Sequence, residues 1–425
     1  YMKNILYVAI CIDTEGPLTE NLKATFQRIN RKFNLSLKPS ASTLKKLQKG
    51  QITLNGFERE LKDFVEPKRL NYLKNWNEIS PMIKKITSNK FRKKTDKFFN
   101  SPLKYSWFII DNVGFNSNPR KKTLGFNAVF NNYEKILGKS SKKDDCIGWH
   151  FHSIHPSGNP LIYNTSWTSN DLHEKSLCMR LIEKKNFPVL FRAGAVIERN
   201  DINQWLENYI PFDFSNRSRN LPKKKIEYLN DWSGAPSDWS PYNPSFYDYK
   251  TKGNMNRTIF RTLDIDTNSN IINDKDIISA LKRSEKHSTI LSVSTHDRRD
   301  IEPELNFFLK KLENASKKYP HIKIKFANAE YAARRVLKIN QTKNNKNKLT
   351  TRLKDKKYLD IKTNFDLFGN IPFLAIKEKN NIIYRDNPIK IKKNNWRYLL
   401  NKEIKSIGIA TVDKKGFAQT KVYEI

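Results

Sequence analysis

Ile5-Leu6-Tyr7-Val8-Ala9-Ile10-Cys11-Ile12-Asp13-Thr14-Glu15-Gly16 decides how the rest of the chain is read. Eight consecutive apolar residues have the length and character of a strand buried on both faces, as in a parallel sheet. The run stops at two carboxylates and a Gly-Pro turn, so the acids stand at the strand's C-terminal end. Working outward, Trp107 to Ile110, Cys146 to Ile154, Pro188 to Phe191, Ser288 to Val293 and Ile322 to Phe326 read as further strands. Helical spacing is expected over Phe126–Leu137, Leu172–Lys185, Asp276–Lys286 and Glu302–Lys318, with Asp201 capping a helix through Trp205 and Leu206. Strands alternating with helices predict an α/β fold with a parallel sheet. Asp13, Glu15, His150, His152, Arg192 and His296 all fall at C-terminal strand ends, where βα barrels collect reactive side chains.

Three stretches break this rhythm. Residues 18–100 are polar and Lys-rich with helical spacing in Leu22-Phe26-Ile29-Phe33, and read as a mostly helical insertion. Residues 215–255 form a loop rich in Pro, Asn, Ser and aromatics. After about residue 338 a charged linker, Asn340 to Lys357, leads to short strand-like segments with turn signals. The expected organisation is a catalytic unit over 1–338 and a linker with a small β-rich accessory domain over 339–425.

The chain has 425 residues, 38% hydrophobic and 12% aromatic, enough for a large core and unlike a disordered chain. Its formal net charge of +36 comes from lysines scattered along the whole length. That reads either as compositional bias or as a preference for acidic partners such as nucleotide-sugars, lipid headgroups or anionic glycans. No nucleic-acid-binding motif accompanies the charge. Cys11, Cys146 and Cys178 are odd in number and widely spaced, which implies no disulfide framework and fits a reducing compartment. No apolar run reaches membrane-helix length, and the N-terminal run ends in acids, so a cytoplasmic protein is expected.

Three of the seven histidines lie within six residues, His150-Phe151-His152-Ser153-Ile154-His155. On a strand His150 and His152 share a face with period two, while His155 belongs to the turn that Pro156 and Gly158 announce. Imidazoles with a carboxylate are what a catalytic divalent ion binds, zinc foremost, with one position left for water. Two or three of these histidines are expected as ligands. Asp13 and Glu15, at i and i+2, suit one general base and one ligand. Arg192 would hold an acid ionised, and His296 has the pKa range of a general acid. The aromatic loop, Asp231-Trp232 with Trp239, Tyr242, Phe246, Tyr247 and Tyr249, reads either as a sugar-stacking wall or as packing at the barrel rim.

These segments resemble the polysaccharide deacetylase superfamily (NodB-like, carbohydrate esterase family 4), in its sugar and surface-polysaccharide biosynthesis branch. The order matches over roughly residues 3–336: Asp13-Thr14-Glu15-Gly16, Gly148-Trp149-His150-Phe151-His152, Phe191-Arg192-Ala193-Gly194 with Phe212-Asp213-Phe214-Ser215, Asp231-Trp232, then His296-Asp297. The resemblance implies a distorted (β/α)7 barrel. It implies Asp13 as catalytic base, Glu15 and histidines as metal ligands, Arg192 bracing the base, His296 as acid, and Asp231 and Trp232 at the substrate. The implied reaction removes an N- or O-acetyl group from a sugar; a nucleotide- or lipid-linked sugar would also suit the positive charge and the expected cytoplasmic location. Asp-x-Glu and His-x-His-x-x-His depart from the family's usual Asp-Asp-Gly and His-x-x-x-His. Two rivals remain open: a glycoside hydrolase using paired carboxylates, and a deacetylase-like scaffold that binds carbohydrate without turnover.

Overall fold

The computed structural model describes residues 4–54, 56–111, 118, 120–138, 144–153, 155–157, 166–219, 231–265, 272–340, 346–355 and 357–425. Eight parallel strands carry the first part: β1 (Ile5–Thr14), β2 (Tyr105–Ile110), β3 (Cys146–Phe151), β4 (Leu190–Ala193), β5 (Phe212–Asn216), β6 (Thr258–Asp264), β7 (Thr289–His296) and β8 (Lys323–Phe326). Strands β1 to β7 follow one another around a closed barrel, because β1 pairs with both β7 and β2. β8 is wedged in at the opposite end. It pairs with Ile5–Val8 of β1, whereas β2 pairs with Ile10–Thr14. One edge of β1 therefore serves two neighbours in turn, and the strand is buried along nearly its whole length.

Alternation along β1 sorts its side chains. Leu6, Val8, Ile10 and Ile12 join a core with the surrounding helices, while Tyr7, Ala9 and Cys11 belong to a second cluster that includes Phe108, Phe214 and Phe260. Phe214 and Phe260 stack with centroids 4.7 Å apart. Gly148 makes room for Phe108, since a Cβ there would lie 2.6 Å from its ring. Asp13 shares the parity of Tyr7, Ala9 and Cys11.

Helices α1 (Leu22–Phe33), α2 (Ala41–Lys49), α3 (Glu58–Phe64), α4 (Trp76–Thr87), α5 (Asn89–Arg92) and α6 (Asp96–Phe99) fill the insertion. The first three enclose a small core of their own with Phe26, Ile29, Phe33, Leu47 and Leu61, whereas α4 packs Ile79, Ile83 and Ile86 onto the barrel. Then come α7 (Ala128–Leu137), α8 (Leu172–Lys184), α9 (Asn200–Leu206), α10 (Asp274–Ser284), α11 (Ile301–Ser316) and α12 (Ala329–Val336). Arg199, not Asp201, occupies the N-cap of α9. The Asp201 carboxylate instead accepts the backbone N–H of Trp167 at 2.7 Å and of Thr168 at 3.1 Å.

The C-terminal part is antiparallel: β9 (Leu349–Lys354), β10 (Tyr358–Thr363), β11 (Phe373–Glu378), β12 (Ile383–Asp386), β13 (Ile389–Lys392), β14 (Asn395–Leu399), β15 (Ile404–Val412) and β16 (Ala418–Glu424). They form two four-stranded sheets, β13-β14-β10-β9 and β12-β11-β15-β16. The expected linker is shorter than its composition suggests, because β9 lies inside it; residues 341–345 of that linker and 220–230 of the aromatic loop fall outside the described residues. No helix among the described residues is long and apolar enough to cross a membrane.

Candidate active site

Strand register brings distant residues side by side at the C-terminal rim of the barrel. Asp13 on β1 pairs with His296 on β7, and His150 on β3 pairs with Arg192 on β4. The Asp13 carboxylate accepts Arg192 Nε at 2.8 and 2.9 Å. The same guanidinium donates Nη1 to the Phe214 carbonyl at 2.8 Å and Nη2 to Ser294 Oγ at 2.9 Å, and Ser294 passes its own proton to Asp264 at 2.6 Å. Burial pushes the Asp13 carboxyl up, but Arg192, then His150 and His296, outweigh it and hold the pKa below its ordinary value. His296 Nε2 stands 3.7 Å from Asp13 Oδ2 and His150 Nδ1 3.8 Å from Oδ1.

Glu15, one step further along, meets the histidines. Its Oε1 lies 3.3 Å from His152 Nε2, 3.8 Å from His150 Nε2 and 4.0 Å from His296 Nε2. The facing Nε2 atoms of His150 and His152 are 3.1 Å apart. His150 Nδ1 is 2.9 Å from the Arg192 carbonyl, which only accepts, so in the neutral ring Nδ1 carries the proton and Nε2 presents its lone pair. Ligand atoms of Glu15, His150 and His152 all fall within 4.8 Å of one another. Two imidazole nitrogens bound tetrahedrally at zinc-like bond lengths stand about 3.3 Å apart, so this donor set fits a divalent ion. Burial pushes the Glu15 carboxyl up, yet Lys121 and the hydrogen bonds of both histidines keep it well below the carboxylate range. Burial lowers the pKa of His152.

Two supporting residues carried no signal for these roles in the sequence. Asp297 braces the chain that follows β1. Its two oxygens accept the N–H groups of Glu15 at 2.9 Å and Gly16 at 2.8 Å, and Tyr133 donates its hydroxyl at 2.8 Å. Lys121 donates to the Glu15 carbonyl at 3.0 Å and sits 3.1 Å from Glu15 Oε2. Both act through contacts more than a hundred residues apart, which no local pattern announces. After β4 the chain turns through Ala195 and Val196 with φ of 51° and 57°, a left-handed conformation costly for a β-branched residue.

Three expected residues stand apart from this cluster. His155 lies outside the group of converging ligand atoms, and its Nδ1 pairs with Ser157 Oγ at 2.9 Å, in the turn that follows the strand. Trp232 is only 4% exposed. Its Nε1 donates to the Val196 carbonyl at 2.9 Å and its ring meets Tyr249 edge-on, so it packs within the rim. Asp231 is tied to Lys250 at 2.6 Å and to Ser233, and serves the same loop.

No family model and no curated protein matches the chain, so the deacetylase resemblance rests on the motifs alone. Among solved structures, a Cellulomonas fimi endo-beta-1,4-mannanase double mutant is similar at 9% identity and a TM-score of 0.30, over 78% of this chain and 88% of that one. A likeness this slight carries no chemistry over to this chain.

Proposed function

We propose that the barrel is a metal-dependent hydrolase that removes an acetyl group from a sugar. The observation that carries this reading is the convergence of Glu15, His150 and His152 beside an Asp13 carboxylate clamped by Arg192. Glu15, His150 and His152 would hold the ion, which when bound supplies an activated water and a polarised carbonyl. Asp13, kept ionised, takes a proton, and Arg192 fixes its two oxygens in place. His296, 3.7 Å away across the β1–β7 pair, is placed to return a proton to the leaving group.

A glycoside hydrolase on the same barrel needs one carboxyl protonated at working pH. Asp13 and Glu15 are both held in the ionised form, so that role would fall to another group. Incubating the protein with a panel of N- and O-acetylated sugars, with and without EDTA, separates the readings. Acetate release abolished by EDTA and restored by zinc is expected. New reducing ends formed with EDTA present would establish the glycosidase instead, and sugar binding without turnover or metal would establish the scaffold.

A further inference from the structure

The two oxygens of Glu15 face different company. Oε1 points to the imidazoles, 3.3 Å from His152 Nε2 and 3.8 Å from His150 Nε2, while Oε2 lies 3.1 Å from Lys121 Nζ and 3.7 Å from Arg298 Nη1. A carboxylate can offer a metal ion one oxygen or both, and whatever already holds the second oxygen decides between them. Here Lys121 holds it.

Lys121 is built in firmly enough to do so. Its side chain is 6% exposed, and besides Oε2 its ammonium reaches the carbonyls of Glu15 at 3.0 Å and Gly16 at 3.4 Å. The same cation binds the main chain and the side chain of one residue, which fixes the rotation of the carboxylate as well as its position. Asp297 accepts the N–H groups of Glu15 and Gly16 and adds its own attraction for the ammonium, so two carboxylates answer the buried charge. The segment that carries Lys121 is tied down in turn. Lys121 N–H donates to the Asn118 carbonyl at 3.1 Å, and Thr19 N–H to the Arg120 carbonyl at 2.8 Å. A glutamate needs this help more than an aspartate would. Its extra methylene adds a torsion, and the broad last torsion lets an untethered carboxylate swing both oxygens toward one ion.

We infer that Lys121 is a positioning residue that restricts Glu15 to one ligand oxygen, Oε1, and so keeps a place at the ion for substrate. The proposal rests on reading Glu15, His150 and His152 as the ligands of a divalent ion. It adds that the ligation mode is set from outside the ligand set, by a residue in the segment that follows β2.

Cobalt(II), whose visible absorption bands weaken as its coordination number rises, reports the ligation directly. The wild-type protein loaded with cobalt is expected to show strong bands. Lys121→Met keeps much of the stem and frees Oε2, so its cobalt bands are expected to be severalfold weaker at the same metal content. A lysine that only anchored its segment would lower the melting temperature of Lys121→Met and leave the cobalt bands as they are in wild type, and that result overturns the proposal. Should Lys121→Met fail to fold, infrared difference spectra of the wild-type protein with and without zinc replace it. In protein made with carbon-13 glutamate, the antisymmetric and symmetric carboxylate stretches are expected to move apart on zinc binding, as one-oxygen ligation requires. Stretches that move together, as for two oxygens, overturn the proposal. A wild-type protein that takes up neither cobalt nor zinc sinks the metal reading itself, whereas normal uptake with unchanged bands in Lys121→Met sinks the role of Lys121 alone.

Discussion

At Gly194 one absent carbon decides where His152 stands. A Cβ there would lie 2.5 Å from the His152 ring and 2.6 Å from its Cα, too close for either to stay. Gly194→Ala is therefore expected to displace His152 and lower metal affinity about ten- to a hundredfold, measured by competition with a chelating dye. Unchanged affinity would remove His152 from the ligand set. Asp13→Asn preserves volume but discards the charge to which Arg192 is matched. Its expected effect is a loss of about a hundred- to ten-thousand-fold in kcat with metal retained, read by acetate release and elemental analysis. Asp13, Glu15, His150 and His152 could be singled out from sequence because strand periodicity places i and i+2 on one face. Trp232 shows the limit. An aromatic beside an acid reads alike whether it faces a ligand or the protein, and here burial against Val196 and Tyr249 settles its orientation.

Among the elements, β5, α9 and the segments just before α9 and β6 meet at a buried ionic knot. Arg257 donates to Glu198 at 2.7 Å and Asn203 at 2.6 Å, and pairs with Asp213 on β5. Two carboxyls on one guanidinium leave an excess negative charge. Burial, then Asp213, pushes the Glu198 pKa well above its ordinary value, so Glu198 keeps a proton. The folded state thus holds a proton that the unfolded chain releases above its carboxylate pKa near 4.5. Stability from this group is greatest below that pH and falls as pH rises towards the folded value. Glu198→Gln, which mimics the protonated acid, is expected to flatten that decline, seen by urea unfolding at pH 5 and pH 8. A slope identical to wild type would place the proton elsewhere. Arg257→Met, which strands both acids, is expected to cost about 3–5 kcal/mol in the same assay. These elements were the least legible in sequence. β6, Thr-Ile-Phe-Arg-Thr-Leu-Asp, hides two charged residues inside a buried strand, and β9 lies in a Lys- and Asn-rich stretch that reads as linker. The apolar runs of β1, β2 and β7 carry their own signal, whereas the docking of β8 on the first half of β1 depends on pairings that no local window contains.

Across the whole molecule, the β-rich part is joined to the barrel by a shared core. β11 alternates between two clusters: Leu374 and Ile376 face the other C-terminal strands, while Phe373 and Ala375 face Leu177, Cys178 and Leu181 of α8 together with Phe187 and Tyr209. Gly408 admits this closeness, since a Cβ would lie 2.8 Å from Leu181. Polar ties reinforce it: Arg385 reaches Glu174 at 2.5 Å, and Arg334 on α12 donates to the carbonyls of Lys415 at 2.9 Å and Gly416 at 2.6 Å. Fully burying a large apolar side chain stabilises by about 1.5–3 kcal/mol. Exposing Leu177, Leu181, Phe187 and Tyr209 together would cost about 6–12 kcal/mol, comparable to the entire stability of many domains. A chain cut after Asn340 is therefore expected to lose its cooperative melting transition and to aggregate through the bared face of α8, as followed by calorimetry and light scattering. Replacing Leu177 and Leu181 with Gln in the cut chain should restore solubility without restoring the transition. A monodisperse cut chain that melts like the full one would mean that the strands from β9 onward are an independent attachment and that the core of α8 does not need them.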